Sequence, residues 1–276
     1  RLIWKSNLGP FPRKYRDVIL SFFESELDPL DQWGLAAFCT RQGIEHPEVE
    51  PLMIEGMNSL YGERDYDSEE LLVQLIKSSV HLASPSEALV KTLEGMLERY
   101  WLHVNMAASE VLGQLDRKSS VDAILRALQA TSEEAFRESL EGLWLRISYV
   151  SALWNLGHSE PEMKAEMEGL LEESHSESFL GIQRFYECLT LVAQRNDEAL
   201  ELLRRLVVED PESSTRSGLD RLGERAAPLI KALEQHAASG DQAIRLSAIQ
   251  RLAAICGPER ALPYLDGLEL DREGDS

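Results

Sequence analysis

The chain has 276 residues, of which 43% are hydrophobic and 28% are charged, and its formal net charge is -20 at pH 7. This apolar content indicates a folded protein, and no apolar run reaches the roughly eighteen residues that a membrane-spanning helix needs. A charge this negative repels phosphate backbones and anionic lipid surfaces, so we expect neither nucleic acid nor a membrane as a partner.

The chain begins with a basic stretch, "RLIWKSNLGPFPRKYR", which has five Lys or Arg residues and no acidic one. It lacks the continuous apolar centre of a secretion signal, so we interpret it as a solvated terminus. A targeting signal upstream of Arg1 would not be visible in this sequence. The three cysteines, Cys39, Cys188 and Cys256, form no C-x-x-C pair, which is typical of a reducing compartment. We therefore expect a cytoplasmic location.

The N-terminal quarter is predicted to be helical but lacks the regular pattern found later. Helices are expected at 12–26, 29–42, 47–60 and 68–83. Aromatic residues are concentrated in the first part of this region: Phe11, Tyr15, Phe22, Phe23, Trp33 and Phe38. We interpret residues 1–70 as atypical capping helices that cover the exposed face of the first repeat.

A short pattern recurs from residue 78 onward: a small residue, three spacers, a large apolar residue and a second small residue. Successive copies begin 30, 44, 36, 30 and 30 residues apart. The longest interval contains an additional helical segment, "TSEEAFRESLEG", which we interpret as an insertion. Intervals of this size are typical of stacked helical repeats. The six copies are Ser78/Leu82/Ala83, Ala108/Leu112/Gly113, Ala152/Leu156/Gly157, Cys188/Val192/Ala193, Gly218/Leu222/Gly223 and Ala248/Leu252/Ala253.

Each copy is followed by turn or capping residues and then by a second amphipathic helix, so each repeat is predicted to be a helical hairpin. Three S/T-x-x-E capping boxes mark helix starts: Ser84 with Glu87, Thr131 with Glu134, and Ser159 with Glu162. Three glycines are predicted to end the first helices in a left-handed conformation: Gly113, Gly157 and Gly223. The small residues allow close helix contacts, while the large residue fills the space between layers.

The sequence therefore predicts an all-α fold, specifically a right-handed α-solenoid of stacked antiparallel helical hairpins. One hairpin cannot bury its apolar face alone, so the hairpins must stack. Repeats are expected over residues 71–268, followed by an acidic flexible tail at 269–276.

Three of the first helices, "AASEVLGQL", "SALWNLG" and "RLSAIQRLA", resemble those of short HEAT repeats of the phycobilin-lyase type. This resemblance covers about residues 70 to 268 and implies an α-solenoid. A tetratricopeptide array is the rival, because "DEALELLRRLVVEDPES" is similar to that family. That segment occurs once, and the family's Trp, Leu-Gly and Tyr pattern does not accompany it.

Enzymes built on HEAT-type scaffolds have characteristic residues that can be looked for in a sequence. Deoxyhypusine hydroxylases need His-Glu dipeptides for two irons, and none of the six histidines is followed by Glu. HEAT-like DNA glycosylases need a basic face, whereas the close pair Arg204-Arg205 is flanked by acids. No P-loop, dinucleotide-binding, G-x-S-x-G or H-E-x-x-H motif occurs. We therefore predict no catalytic residue and no cofactor; an enzyme or enzyme subunit, bilin-lyase-like or glycosylase-like, is the alternative.

The repeated "HSE" sequence has metal-like content in His158, Glu160, His175 and Glu177. Zinc sites usually have closely spaced ligands in a defined geometry, and Ser159 already explains the first copy as a helix cap. We predict no metal site.

The segment from Glu160 to Glu177 has seven Glu residues and one Lys. On a helical wheel, a core stripe is formed by Met163, Met167, Leu170 and Leu171. Glu162, Glu166 and Glu173 fall together on one flank of the helix and form a ridge about 16 Å long. Trp144, on the preceding helix, is the better aromatic contact candidate, because Trp154 belongs to a repeat triplet. The ridge is either an ordinary solvated face or a docking strip for a basic protein segment.

We therefore predict a non-catalytic protein-protein interaction module that binds a basic partner protein through an acidic concave surface. An immunity or inhibitor protein and a scaffold or adaptor both fit this prediction. The sequence does not choose between them, nor does it indicate an oligomeric state.

Overall fold

A computed structural model describes residues 15–63, 65–99, 101–131, 139–158, 161–177, 179–209 and 219–265; the side chains of 161–162 and 173–181 lie outside this description. The described residues form helices and turns and contain no strand. The prediction of an all-α fold is confirmed. No helix within these ranges is long and apolar enough to cross a membrane.

The chain divides into two compact units, Arg1–Ser159 and Glu160–Ser276. The predicted segment boundary at residue 70 stays a prediction, and the predicted tail at 269–276 lies outside the described residues. The described helices of the first unit are α1 (Arg16–Leu20), α2 (Pro29–Arg41), α3 (Val49–Leu60), α4 (Tyr66–Ser78), α5 (Glu87–Gly95), α6 (Leu102–Gln114), α7 (Val121–Ala130) and α8 (Leu140–Asn155), with short 3-10 turns at Ser21–Glu24, Ser79–His81 and Lys118–Ser120.

Within the first unit, the helices that carry the repeat triplets pack in chain order. Helix α4 packs on α6, and α6 packs on α8 in the most extensive helix pair of the unit. Helix α2 packs against α3 and α4, and all of its residues from Trp33 to Thr40 are buried. It is therefore the central helix of the N-terminal part.

The described helices of the second unit also pack against their chain neighbours. Successive pairs include α9 with α10, α10 with α11, α12 with α13 and α13 with α14. A 3-10 helix at Leu219–Ala226 contacts both α10 and α13. The helices are α9 (Pro161–Glu177), α10 (Phe179–Ala193), α11 (Asp197–Glu209), α12 (Ala227–Ala237), α13 (Gln242–Cys256) and α14 (Pro258–Ala261), and a second 3-10 turn spans Leu262–Tyr264.

The repeat triplets mark the interior of each unit. The first small residue is buried in every copy that is described: Ser78, Ala108, Ala152, Cys188 and Ala248. The large residue is buried at Leu112, Leu156, Val192, Leu222 and Leu252, and half-buried at Leu82. Gly218 lies outside the described residues. The pattern therefore identifies helix faces that pack against other helices.

Gly113 does not end its helix, so that prediction was wrong. Helix α6 continues to Gln114, and Gly113 packs directly on α8. A Cβ atom added at position 113 would lie 3.0 Å from the Cα atom of Ala152. Glycine is needed there for close approach of two helices. Gly157 has the predicted positive φ, 82°. Gly223 also has a positive φ, 53°, but its ψ of -130° is not that of a left-handed helical cap; it forms a kink between two helical turns.

The start of α5 was also predicted at the wrong serine. Ser86, two residues after Ser84, is the N-cap, and its Oγ accepts a hydrogen bond of 3.3 Å from the Leu89 N–H. The boxes that include Glu134 and Ser159 lie outside the described residues. Residues 132–138 of the predicted insertion are also outside them, and α8 begins within the last residues of that insertion, with Ser139 as its N-cap.

Candidate functional site

The predicted acidic ridge lies on α9, which the structure shows as a helix over Pro161–Glu177. The expected core stripe is on this helix, since Met167 and Leu170 are buried. Glu166 is half-buried. The side chains of Glu162 and Glu173 lie outside the described residues, so Glu166 is the one ridge residue that the structure places.

The side of α9 that faces α11 carries both signs of charge. Glu168 Oε1 accepts a hydrogen bond of 3.1 Å from Arg205 Nη2 in an ion pair between the two helices. Beside this pair, a groove of about 380 Å³ is lined by Lys164 and Arg205 as well as by carboxylates, among them Asp197 and Glu201. Because cations neutralise part of this groove, it is a weak candidate for attracting a basic protein.

Trp144 belongs to α8 in the first unit and is half-buried. Its indole Nε1 atom is buried and has no hydrogen-bond partner among the described residues. Trp154 is buried, at 1% exposure, as expected for a residue of a repeat triplet. Trp144 belongs to the first unit, whereas Glu166 of the ridge belongs to the second.

The structure shows an acidic surface in the first unit that the sequence analysis missed. A cleft of about 310 Å³ lies where α2 begins and where α3 connects to α4. We call it the acidic cleft; no Lys or Arg residue is among its described lining residues. Five carboxylates line it: Asp31, Glu63, Asp65, Asp67 and Glu70.

Two of these carboxylates, from Glu63 and Asp65, lie within hydrogen-bond distance of the same Ser68 hydroxyl. Asp65 is the N-cap of α4, and its Oδ1 accepts a hydrogen bond of 3.0 Å from the Ser68 N–H. The Ser68 hydroxyl contacts both Asp65 Oδ2 and, at 3.1 Å, Glu63 Oε2. A hydroxyl donates one proton, so it serves one of these two acceptors at a time. The Ser68 hydrogen bonds hold the pKa of Asp65 below its ordinary value, so its carboxylate stays charged.

Apolar and aromatic side chains accompany these charges. Leu30 lines the acidic cleft and is 41% exposed. Tyr66 lies between two lining residues in the sequence and is 80% exposed. An exposed aromatic ring beside carboxylates suits a Lys or Arg side chain, which interacts favourably with both.

A sequence signal for the acidic cleft existed. Between Glu24 and Glu70 the chain has thirteen acidic residues but two basic ones, Arg41 and Arg64. The run "ERDYDSEE" is its densest part. The cleft was not predicted because Asp31 lies more than thirty residues before this run. Helical periodicity relates residues within one helix, so it does not show that Asp31 and the run lie together.

The described residues contain no group of three or more His, Cys, Asp or Glu side chains arranged to hold a metal ion. Glu160, His175 and Glu177 of the "HSE" pair lie outside the described side chains.

Comparisons with known proteins do not identify the chain. No protein-family model matches the sequence, and no curated protein matches it significantly. A crystal structure of an engineered protein from the Northeast Structural Genomics Consortium is similar at 12% identity and a TM-score of 0.32, over 88% of this chain and 97% of that chain. This likeness is too weak to assign a fold family or a function.

Proposed function

We propose that the chain is a non-catalytic interaction protein that binds a basic partner protein, with the acidic cleft as a principal contact surface. The observation that carries the proposal is the group of five carboxylates around one cleft, with no Lys or Arg among the lining residues that the structure describes. The net charge of -20 adds long-range attraction for a basic partner. An immunity or inhibitor protein and an adaptor both act in this way.

The contact chemistry favours lysine and arginine side chains. The carboxylates of Glu63 and Asp65 share the single proton of the Ser68 hydroxyl. A Lys or Arg side chain of the partner would therefore give this pair additional hydrogen bonds. Leu30, which also lines the cleft and is exposed, supplies apolar area. Electrostatic complementarity of this kind raises the association rate and gives specificity.

The proposed scaffold is a right-handed, HEAT-like α-solenoid working in the cytoplasm. The successive packing of α4, α6 and α8 in one unit supports stacked repeats, as does the chain-order packing in the other. Burial of the first small residue in each described triplet supports the same arrangement. The three cysteines are free thiols, which suits a reducing compartment.

The proposal is tested by capturing partners on the immobilised full-length chain at low and high salt, then measuring the affinity of each purified partner. A cleft variant combines Glu63→Gln, Asp67→Asn and Glu70→Gln, which remove three charges while preserving side-chain shape. We expect basic proteins that dissociate at high salt and bind the cleft variant at least tenfold more weakly.

The matched control removes three exposed carboxylates elsewhere through Glu98→Gln, Asp122→Asn and Asp220→Asn. Both variants have the same net charge, so long-range attraction falls equally. Equal weakening by both variants would mean that the acidic cleft is ordinary surface. Captured partners that are not basic would refute the proposed function itself.

A further inference from the structure

A second and larger cleft lies at the opposite end of α2 from the acidic cleft. It has a volume of about 980 Å³ and is formed where α2 ends and α3 begins, together with the connection that leads into α5. We call it the His46 cleft. A volume of this size accommodates several side chains of a ligand.

The interior of the His46 cleft is mainly apolar. Ile44 and Val49 form buried parts of its lining, while Ile54 and Leu82 are half-buried. Two exposed alanines, Ala83 and Ala88, leave its mouth wide. Leu82 is the large residue of the first repeat triplet, and it is less buried than its counterparts in the described copies. The cleft therefore offers apolar surface that the fold does not cover.

The rim of the cleft carries carboxylates. Glu45, Glu50 and Glu55 line it, and no Lys or Arg is among its described lining residues. Such a lining repels phosphates, nucleic acids and acidic segments, and it attracts segments that carry Lys or Arg. Apolar walls with an acidic rim thus complement a segment in which apolar residues are flanked by basic ones.

The two sides of the cleft are held in place by the fold. Glu50 Oε1 on α3 accepts a hydrogen bond of 2.7 Å from the Ser86 N–H at the start of α5. The His46 ring stacks on Phe23, with centroids 4.4 Å apart and planes 13° apart. A site that is ordered before binding loses less conformational entropy when a ligand enters.

We infer that the His46 cleft binds an apolar segment flanked by lysine or arginine residues, contributed by the basic partner protein. This inference rests on the proposed function and adds a second contact to it, one that depends on apolar burial as well as on charge. The apolar residues of the segment occupy the interior, and its cations contact the rim carboxylates.

The test uses two fluorescein-labelled synthetic peptides with two lysines at each end and a six-residue centre, made of Leu and Ala in one and of Ser in the other. Binding to the full chain is measured by fluorescence anisotropy. We expect the Leu/Ala peptide to bind at least tenfold more tightly. The variant Ala83→Trp/Ala88→Trp fills the mouth and should remove that advantage, whereas Ala238→Trp, at an exposed alanine of the second unit, should not.

Four results would overturn the inference. The first three are equal affinity for the two peptides, no effect of Ala83→Trp/Ala88→Trp, and equal binding of a peptide with Glu in place of Lys. If light scattering shows a dimer that the tryptophan pair dissociates, the occupant is a second copy and the inference is wrong. The Glu63→Gln/Asp67→Asn/Glu70→Gln variant separates the two proposals. A captured partner could bind the Ala83→Trp/Ala88→Trp variant with normal affinity and the acidic-cleft variant with reduced affinity. This result would support the proposed function and refute the inference about the His46 cleft.

Discussion

Gly113 on α6 lies against the backbone of Ala152 on α8, so close that a Cβ atom at position 113 would be 3.0 Å from the Ala152 Cα. The first residue is the terminal small residue of one repeat triplet, and the second opens the next triplet. The contact therefore joins two repeat copies directly and explains why both positions carry small side chains.

Substituting Gly113→Ala should destabilise the protein by about 1–3 kcal/mol, because the added methyl group overpacks the contact with Ala152. The matched control is Gly169→Ala, at an exposed position in the middle of α9, where no described atom lies within 4 Å of an added Cβ. That change should be neutral or stabilising, since alanine favours helix by up to about 1 kcal/mol. Denaturant unfolding measures both. Equal effects would contradict the close contact.

Ala152→Leu should cost a similar free energy of unfolding, about 1–3 kcal/mol, because Ala152 is 2% exposed and faces Gly113. The same reasoning applies to Ala108→Leu, since Ala108 is fully buried on α6. Ala130→Leu, at the exposed end of α7, serves as control and should change stability by less than about 0.5 kcal/mol. Thermal unfolding measures the stability of each variant. Equal stability of all three variants would show that the proposed repeat register is wrong.

Ser86→Ala should destabilise the first unit by about 1 kcal/mol through loss of the α5 N-cap. The alanine variant keeps the backbone N–H that donates to Glu50, so the change isolates the side-chain cap. Ser84→Ala is the control and should have almost no effect. Urea unfolding decides between the two serines, and a larger loss at Ser84 would restore the capping box predicted from the sequence.

The thiol of Cys39 should resist alkylation in the folded protein. Burial raises its pKa to about 12, so at pH 8 about one molecule in ten thousand carries the reactive thiolate. Cys256 is partly exposed and should be labelled first by iodoacetamide. Mass spectrometry of peptides from native and denatured samples tests this order. Labelling of Cys39 before Cys256 in the native protein would contradict the burial of α2.

The same thiol predicts a pH dependence of stability. Its pKa is about 12 in the folded chain and near 9.0 when burial is lost, so alkaline pH removes the proton from the unfolded state first. Folding stability from this group is therefore complete below about pH 9 and decreases as pH rises toward 12. Urea unfolding between pH 8 and 10.5 should show a smaller decrease for Cys39→Ala than for the unchanged chain. Identical slopes would refute the prediction.

Much of the helical framework was predictable from periodicity, and the reason is visible in single residues. Ala108, Ala152 and Cys188 recur at helical spacing and are all buried, because apolar patterning along a helix indicates which face packs. The N-cap of α5 was assigned to Ser84 instead of Ser86, and Gly113 was assigned as a helix terminator, because the sequence alone does not show the contacts that decide either role. Two serines compete for one cap, and a glycine near a helix end resembles a terminator until Ala152 is seen against it.

The candidate sites were less predictable than the helices. The acidic cleft combines Asp31 with carboxylates near residue 65, and the His46 cleft combines the α2–α3 turn with the start of α5. Both arise from tertiary packing of segments distant in sequence. The ridge on α9 was noticeable because its charges are contiguous, although Arg205 neutralises Glu168 on that helix.

Helix α2 has thirteen residues, so its two ends, with the acidic cleft at one and the His46 cleft at the other, are about 20 Å apart. About six extended residues span that distance. A single ligand chain that occupies both clefts would hold its second anchor at millimolar effective concentration once the first is bound. Two individually weak contacts would then yield a long-lived complex, whereas two separate short peptides would dissociate rapidly.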